Sequence, residues 1–213
     1  MRRLLRGVYV AHAVGVGGPQ APLSAELGKY AENVTRVDPG MQPDRYWRAD
    51  AEEGSAKTYR SKISALPFKS ATVDLITIGG ISNPAAVLKE VSRALRPEGL
   101  AILEVANSAH FLNRLRPALG KTPGNLYLEA CRREGVTLPT GRHIPSTFAR
   151  IIEAGFVVDR KLSVSNFRNF PLWAYIPTGV LNSMERSLQY QLGKWEFGPR
   201  LFYLLRKVPR YSW

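Results

Sequence analysis

At 213 residues with 45% hydrophobic side chains, the chain can bury a sizeable core and fits one domain, or one domain with a small appendage. Its single cysteine, Cys131, excludes an internal disulfide framework and a zinc site built on several cysteines, and it fits a reducing compartment; His12, His110 and His143 lack metal-ligand spacing. Lysine and arginine number 30 against 17 acids, and the net charge of +13 favours an anionic partner (nucleic acid, anionic lipid or a phosphorylated substrate) or else a basic surface kept for solubility.

No basic tract is dense enough to form a nucleic-acid arm. Nor is there a run of about 18 apolar residues, so no transmembrane helix is expected. The N-terminus has a basic start before an apolar stretch, but His12 and the glycines interrupt it. It reads as a first core strand rather than a signal peptide.

Val8–Val14 (VYVAHAV) has the β-branched, almost wholly apolar character of a strand buried on both faces of a parallel sheet. A Gly/Pro-rich turn follows at Gly15–Pro22. Ser24–Glu32 reads as a short helix with Leu27, Tyr30 and Ala31 on one side. Asn33–Asp38 is a short strand ending in an acid, closed by Pro39-Gly40. A helix is expected over Asp44–Ala56, a third strand over Thr58–Ser64 and a fourth over Val73–Ile78. Val87, Leu88, Val91, Ala94 and Leu95 recur at helical spacing within Pro84–Leu95. A Pro97-Glu98-Gly99 turn leads into a fifth buried strand, Gly99–Val105. Further on, helices are expected over Ser108–Leu119, Pro123–Gly135 and His143–Gly155, the last stopped by Gly155. Strands over Phe156–Val164 and Arg200–Val208 flank an aromatic segment with a helical middle, Gly179–Leu192.

Strand, helix, strand at this rhythm predicts an α/β doubly wound, mostly parallel sheet. Its ligand belongs outside the carboxyl ends of the strands. No repeat or low-complexity linker marks a second domain, so residues 1–213 are expected to form one domain.

The run Leu66–Asn83 (LPFKSATVDLITIGGISN), continuing through VLKEVSRALRPEGLAILEV to Val105, resembles the class I S-adenosylmethionine (SAM)-dependent methyltransferases. Glu153-Ala154-Gly155-Phe156 and Leu201–Arg206 also have the family's look. The resemblance implies a seven-stranded Rossmann-like sheet with a C-terminal antiparallel hairpin. It implies SAM as cofactor, S-adenosylhomocysteine as product, and a cytoplasmic protein, at most peripheral to a membrane. Substrates of the family are gripped in insertions corresponding to residues near 107–145 and 169–193. Relatives carry a helical segment before the first strand; only about six residues precede it here, so a more open pocket or another covering element is expected.

The same resemblance distributes the cofactor-binding residues. Gly15 and Gly17 match the glycine loop after the first strand, where φ freedom and a bare backbone let a ligand approach. Ala13 stands in place of the family's acid and Pro19 in place of its third glycine. One acceptor and one backbone donor are therefore missing, and weaker cofactor binding is expected. Asp38 falls where the family's acid takes both ribose hydroxyls, a task suited to a carboxylate that accepts two hydrogen bonds; such an acid would also serve NAD. Ile63 and Ser64 fall against the adenine, with Lys62 replacing the family's acid there and Asp50 as the alternative. Gly79 and Gly80 form the open exit of the fourth strand, beside the sulfonium and the incoming substrate.

Methyl transfer from a sulfonium needs positioning more than acid–base help, so no catalytic residue can be named. Glu104 and Asn107, at the end of the fifth strand, are the nearest candidates; His110 and His143 suit ordinary structural roles. The aromatics of Phe167–Tyr203 suit an apolar or lipid-like acceptor, an anionic membrane surface, or a lid packing its own rings. Two functions compete. One is SAM-dependent methyl transfer to a small or lipid-like acceptor. The other is a non-catalytic methyltransferase-like domain that binds a partner, nucleic acid or an anionic surface. A nicotinamide-dependent reductase is disfavoured by the glycine spacing and the context of Val73–Ile76.

Overall fold

The structure is a computed structural model that describes residues 4–5, 7–17, 26–38, 57–61, 64–79, 84–107, 110–115, 149, 151–164 and 176–208. The expected helices Asp44–Ala56 and Pro123–Gly135, and residues Pro19, Asp50, Lys62, Ile63, Gly80 and His143, lie outside them.

Seven strands form the sheet: β1 (His12–Val16), β2 (Asn33–Asp38), β3 (Lys57–Arg60), β4 (Val73–Ile78), β5 (Leu95–Ala106), β6 (Phe156–Val164) and β7 (Arg200–Lys207). Helices α1 (Pro84–Ala94), α2 (Phe111–Leu115) and α3 (Thr178–Lys194), with a 3₁₀ turn at Leu27–Lys29, complete the described elements. The strand order is β3-β2-β1-β4-β5-β7-β6. β1 to β5 are parallel, while β7 lies antiparallel to both β5 and β6.

Apolar side chains alternate between two cores. Val14, Val16, Ile76, Ile78, Ala101, Leu103 and Tyr203 face α1, which contributes Val87, Leu88, Val91 and Ala94. Ala13, Leu75, Ile102, Phe202 and Leu204 face the other way, against Leu4, Leu5 and Leu27, with Tyr190 of α3 packed alongside. This two-sided burial is why the central strands lack polar alternation.

Three expectations shift. The first strand runs over His12–Val16 rather than Val8–Val14; Val8 and Tyr9 are 38% and 75% exposed. Its first rung is His12 opposite Asn33, and the His12 amide is held by the Asp74 carboxylate at 2.9 Å. The helix expected over Ser24–Glu32 is, in its described part, mainly the 3₁₀ turn that buries Leu27. The third strand ends at Arg60, not Ser64. The C-terminal pair is antiparallel, with a helix between its strands, as expected. The 17-residue α3 lies between β6 and β7, and β7 inserts between β5 and β6.

The motif residues of the Leu66–Val105 run hold the fold. Glu90 of α1 accepts from the Leu66 amide at 2.8 Å, and Arg93 pairs with Glu90 while donating to the carbonyls of Leu66 and Phe68. The Leu-Pro-Phe turn is thus clamped to α1. Asp74 binds Arg96 at 2.5 Å as well as the His12 amide, and it lies toward the amino end of β4. The expected Pro97-Glu98-Gly99 turn persists as a bulge inside β5: Val73 pairs with Leu95, then Leu75 with Leu100. His12 is structural too. Its Nε2 lies 3.1 Å from the Thr35 hydroxyl, and its ring meets Phe68 edge-on at 5.8 Å.

α3 lies against β6 at Gly193, where an added Cβ would stand 2.6 Å from the Lys161 carbonyl oxygen. Gly193→Ala is therefore expected to lower stability by about 1–3 kcal/mol through overpacking, read by thermal or denaturant melts. The Arg93 hydrogen bond, aided by the Leu66 amide, holds the Glu90 carboxyl below its ordinary 4.5. Because its pKa is lower folded than unfolded, its stabilisation is complete above 4.5 and is lost as pH falls through the folded value. Melts of Glu90→Gln should show a deficit at neutral pH that closes in acid; a deficit independent of pH would remove this role.

Candidate functional site

The order of strands reverses between β1 and β4: the chain winds from β1 to β2 and β3 on one side, then from β4 to β5 on the other. Neighbouring crossovers leave on opposite sides there, which opens a crevice beyond the carboxyl ends of the two strands. The exits are laced together by backbone hydrogen bonds. Gly79 N–H donates to Val16 O at 3.1 Å, Gly17 N–H to Val37 O at 3.1 Å, and Ser61 N–H to Asp38 O at 3.2 Å.

Three of the sequence-predicted glycines meet at this point. Gly15 lies within β1, opposite Arg36 and Thr77. Gly17 ends the strand with φ +150°, a conformation that side chains disfavour. Gly79 follows β4. Asp38 ends the neighbouring β2, and it is only 5% exposed. A carboxyl group that deep requires hydrogen-bonding partners, and the two oxygens of a carboxylate can together accept from more than one donor. Among the described residues, bare backbone lies at the exits of β1 and β4, with the acid Asp38 at the end of the next strand. Such an arrangement can bind and orient a ligand that carries hydroxyls.

Ser64 is exposed in the turn after β3, and Ile63 is outside the described residues. Ala13 is 0% exposed and pairs with Val34 and Leu75 in mid-sheet. The position that the resemblance gives to an acid is therefore core here, two residues before Gly15. The side chain of Glu104 is 4% exposed and 3.6 Å from Arg200.

Asn107 is a lock at the carboxyl end of β5. Its Nδ2 donates to the carbonyls of Glu196 at 2.6 Å and Gly198 at 2.9 Å, and its amide donates to Pro199 O at 2.8 Å. The turn that it grips ends α3 in a Schellman arrangement. Phe197 N–H donates to Leu192 O and Glu196 N–H to Gly193 O, with Glu196 at φ +52° where glycine is usual. Lys161 fastens the Glu196 carboxylate at 2.5 Å. His110, 1% exposed, begins the α2 turn through its carbonyl, which accepts from Asn113 and Arg114.

Three features escaped the sequence. Thr77 is 0% exposed, and its hydroxyl has no hydrogen-bond partner among the described residues; Arg36 Nε is in the same position. Both face Gly15 across strand pairs known only from the register. Phe111 stacks on Phe197 at 4.8 Å and 15°, a contact between residues far apart in the chain. Among the described residues, no cluster of three or more His, Cys, Asp or Glu could hold a metal.

Residues 12–103 match the model of the methyltransferase-domain family. No curated protein matches the chain. In fold the chain is similar to the S-adenosylmethionine dependent methyltransferase of Mesorhizobium loti, with 15% identity and a TM-score of 0.60 over 97% of this chain and 95% of that one. It is similar to the structure of the Haloferax volcanii Trm112 methyltransferase activator in complex with the putative methyltransferase, with 17% identity and a TM-score of 0.59 over 99% and 88%. It also resembles geranyl diphosphate methyltransferase solved in complex with SAM, at 15% identity and a TM-score of 0.53 over 98% and 82%. With the reversed strand order and the antiparallel seventh strand, these likenesses show the fold of the class I SAM-dependent methyltransferases, and residues 12–103 carry the match to the methyltransferase-domain family.

Proposed function

We propose that the crevice between β1 and β4 binds SAM and that the protein transfers its methyl group to a small or lipid-like acceptor. The observation that carries this reading is the convergence of Gly15, Gly17 and Gly79 at the strand-order reversal, with the buried Asp38 one strand away. When bound, SAM supplies both the electrophilic methyl group and its own leaving group, a neutral thioether. The chain's residues then only have to bind and orient. The backbone of Gly15–Gly17 lets the ligand lie close to β1. Asp38 accepts hydrogen bonds from paired hydroxyls. Gly79 leaves the exit of β4 free of a side chain, on the side where an acceptor would approach. Ser64 and Ile63 remain candidates for the adenine side, and residues near 107–145 and 169–193 for gripping the acceptor, within a single domain spanning 1–213.

Support also comes from relatives in fold: geranyl diphosphate methyltransferase and a Haemonchus contortus phosphoethanolamine N-methyltransferase were each solved with SAM. No helix among the described residues is long and apolar enough to cross a membrane, so a lipid-like acceptor would be met in solution or at a membrane surface. The reading includes a cytoplasmic location, with peripheral attachment open to it.

A second reading is favoured by Ala13. With that position inside the core, the acid that the resemblance expects is absent, and a methyltransferase-like domain that binds a partner or an anionic surface without catalysis would look the same. Calorimetry with SAM and S-adenosylhomocysteine separates the two.

If SAM binds, Asp38→Ala should weaken it by about 1.5–3 kcal/mol, roughly tenfold to a hundredfold, because a charged acceptor is lost. Unchanged affinity would remove Asp38 from the site. The acid cannot simply be restored: Ala13→Asp should destabilise the fold by about 3 kcal/mol or more, since an unpaired carboxylate would enter the core. A thermal melt at neutral pH reads this, and an unchanged melting temperature would show that Ala13 borders the crevice after all.

A further inference from the structure

The carboxyl pole of the sheet carries an exposed apolar tip that the crevice does not use. Trp195, the C-terminal cap of α3, is 75% exposed, and Phe111 and Leu115 of α2 are each 38% exposed. These side chains belong to neighbouring segments. The Phe111 amide donates to Phe197 O at 3.0 Å, and the Phe111 and Phe197 rings stack at 4.8 Å. The segments are firmly based: Asn107 grips the turn after Trp195, Lys161 fastens Glu196, and Gly193 seats α3 on β6. Exposed basic residues adjoin the tip, Lys194 before Trp195 and Arg114 before Leu115.

We infer that this tip, Trp195 with Phe111 and Leu115, inserts into the interfacial layer of an anionic lipid bilayer. Three arguments favour lipid over a protein. Among the described residues the tip has three apolar side chains, few beside the 20 to 30 residues per side, or about 800 Å², of a typical stable protein interface. They suffice for shallow insertion when basic residues add electrostatic attraction. Tryptophan is the side chain best suited to the headgroup level, being apolar with a polar edge. The charge complement is present, with Lys194 and Arg114 at the tip and +13 on the whole chain. The anchor would hold the carboxyl ends of the strands toward the bilayer, the side from which a lipid-like acceptor must come. Membrane binding itself does not require SAM, so it stands or falls separately from the methyltransferase reading.

The test is co-sedimentation of the full chain with phosphatidylcholine vesicles, with and without phosphatidylglycerol, at low and high salt. Binding is expected only with phosphatidylglycerol and should weaken with salt. Tryptophan emission should shift to the blue on binding. Trp195→Ser should lower partitioning by about tenfold and abolish the shift, since an exposed side chain can be removed without unfolding. Lys194→Glu and Arg114→Glu should each lower partitioning by about fivefold or more. Thermal melts confirm that each variant is folded. Absence of binding to anionic vesicles, or binding that Trp195→Ser leaves unchanged, overturns the inference. So does sedimentation showing a dimer without vesicles that Trp195→Ser dissociates, because the tip would then be a protein interface.

Discussion

The backbone hydrogen bond from Gly79 to Val16 joins the exits of β1 and β4, the two strands at which the order of the sheet reverses. Chain direction and right-handed crossovers oblige the segments after these strands to part to opposite sides. The opening that results is a consequence of winding, and no side chain has to build it. The nearby residues only have to avoid filling it. Among the described residues, glycines stand at the exits of β1 and β4, and the acid Asp38 belongs to the next strand.

The two poles of the sheet divide the labour. At the amino pole, charged residues tie strands together: Asp74 reaches the His12 amide and Arg96. Glu90 with Arg93 clamps the Leu-Pro-Phe turn to α1. At the carboxyl pole the same parallel strands end in bare backbone. Residues that look like functional signature in the string, Asp74 above all, thus stabilise the scaffold. The chemistry is left to a ligand that carries its own reactive group.

β7 connects the crevice to the far edge of the sheet. Running antiparallel between β5 and β6, it brings the end of α3 back beside the end of β5. Asn107 and the left-handed Glu196 hold that junction. Asn107, a candidate for chemistry by position, is occupied by three backbone groups and acts as a brace. Burial also raises the pKa of the Tyr203 hydroxyl, which has no hydrogen-bond partner among the described residues, so this phenol stays neutral inside the core.

Local pattern alone determined much of this architecture. The strands expected at Asn33–Asp38, Val73–Ile78 and Phe156–Val164 match β2, β4 and β6 to the residue, and helical spacing places α1 to within one residue. These elements are legible because burial on two faces, or on one stripe, writes a period into the string. The doubly wound class follows from the same rhythm; Gly15, Gly17, Gly79 and Asp38, singled out by the resemblance, lie toward the carboxyl ends of β1, β4 and β2. Tertiary structure decided the rest. The first strand begins at His12 because its pairing with Asn33 and the reach of Asp74 are contacts across 21 and 62 positions, which no local window contains. Whether Ala13 borders a ligand or a core depends on how far β1 extends, and that is set by its partners. The insertion of β7, the lock at Asn107, the stacking of Phe111 on Phe197, and the facing of Arg36 and Thr77 across Gly15 are all matters of register and order. Periodicity tells which residues are buried; only the folded sheet tells beside whom.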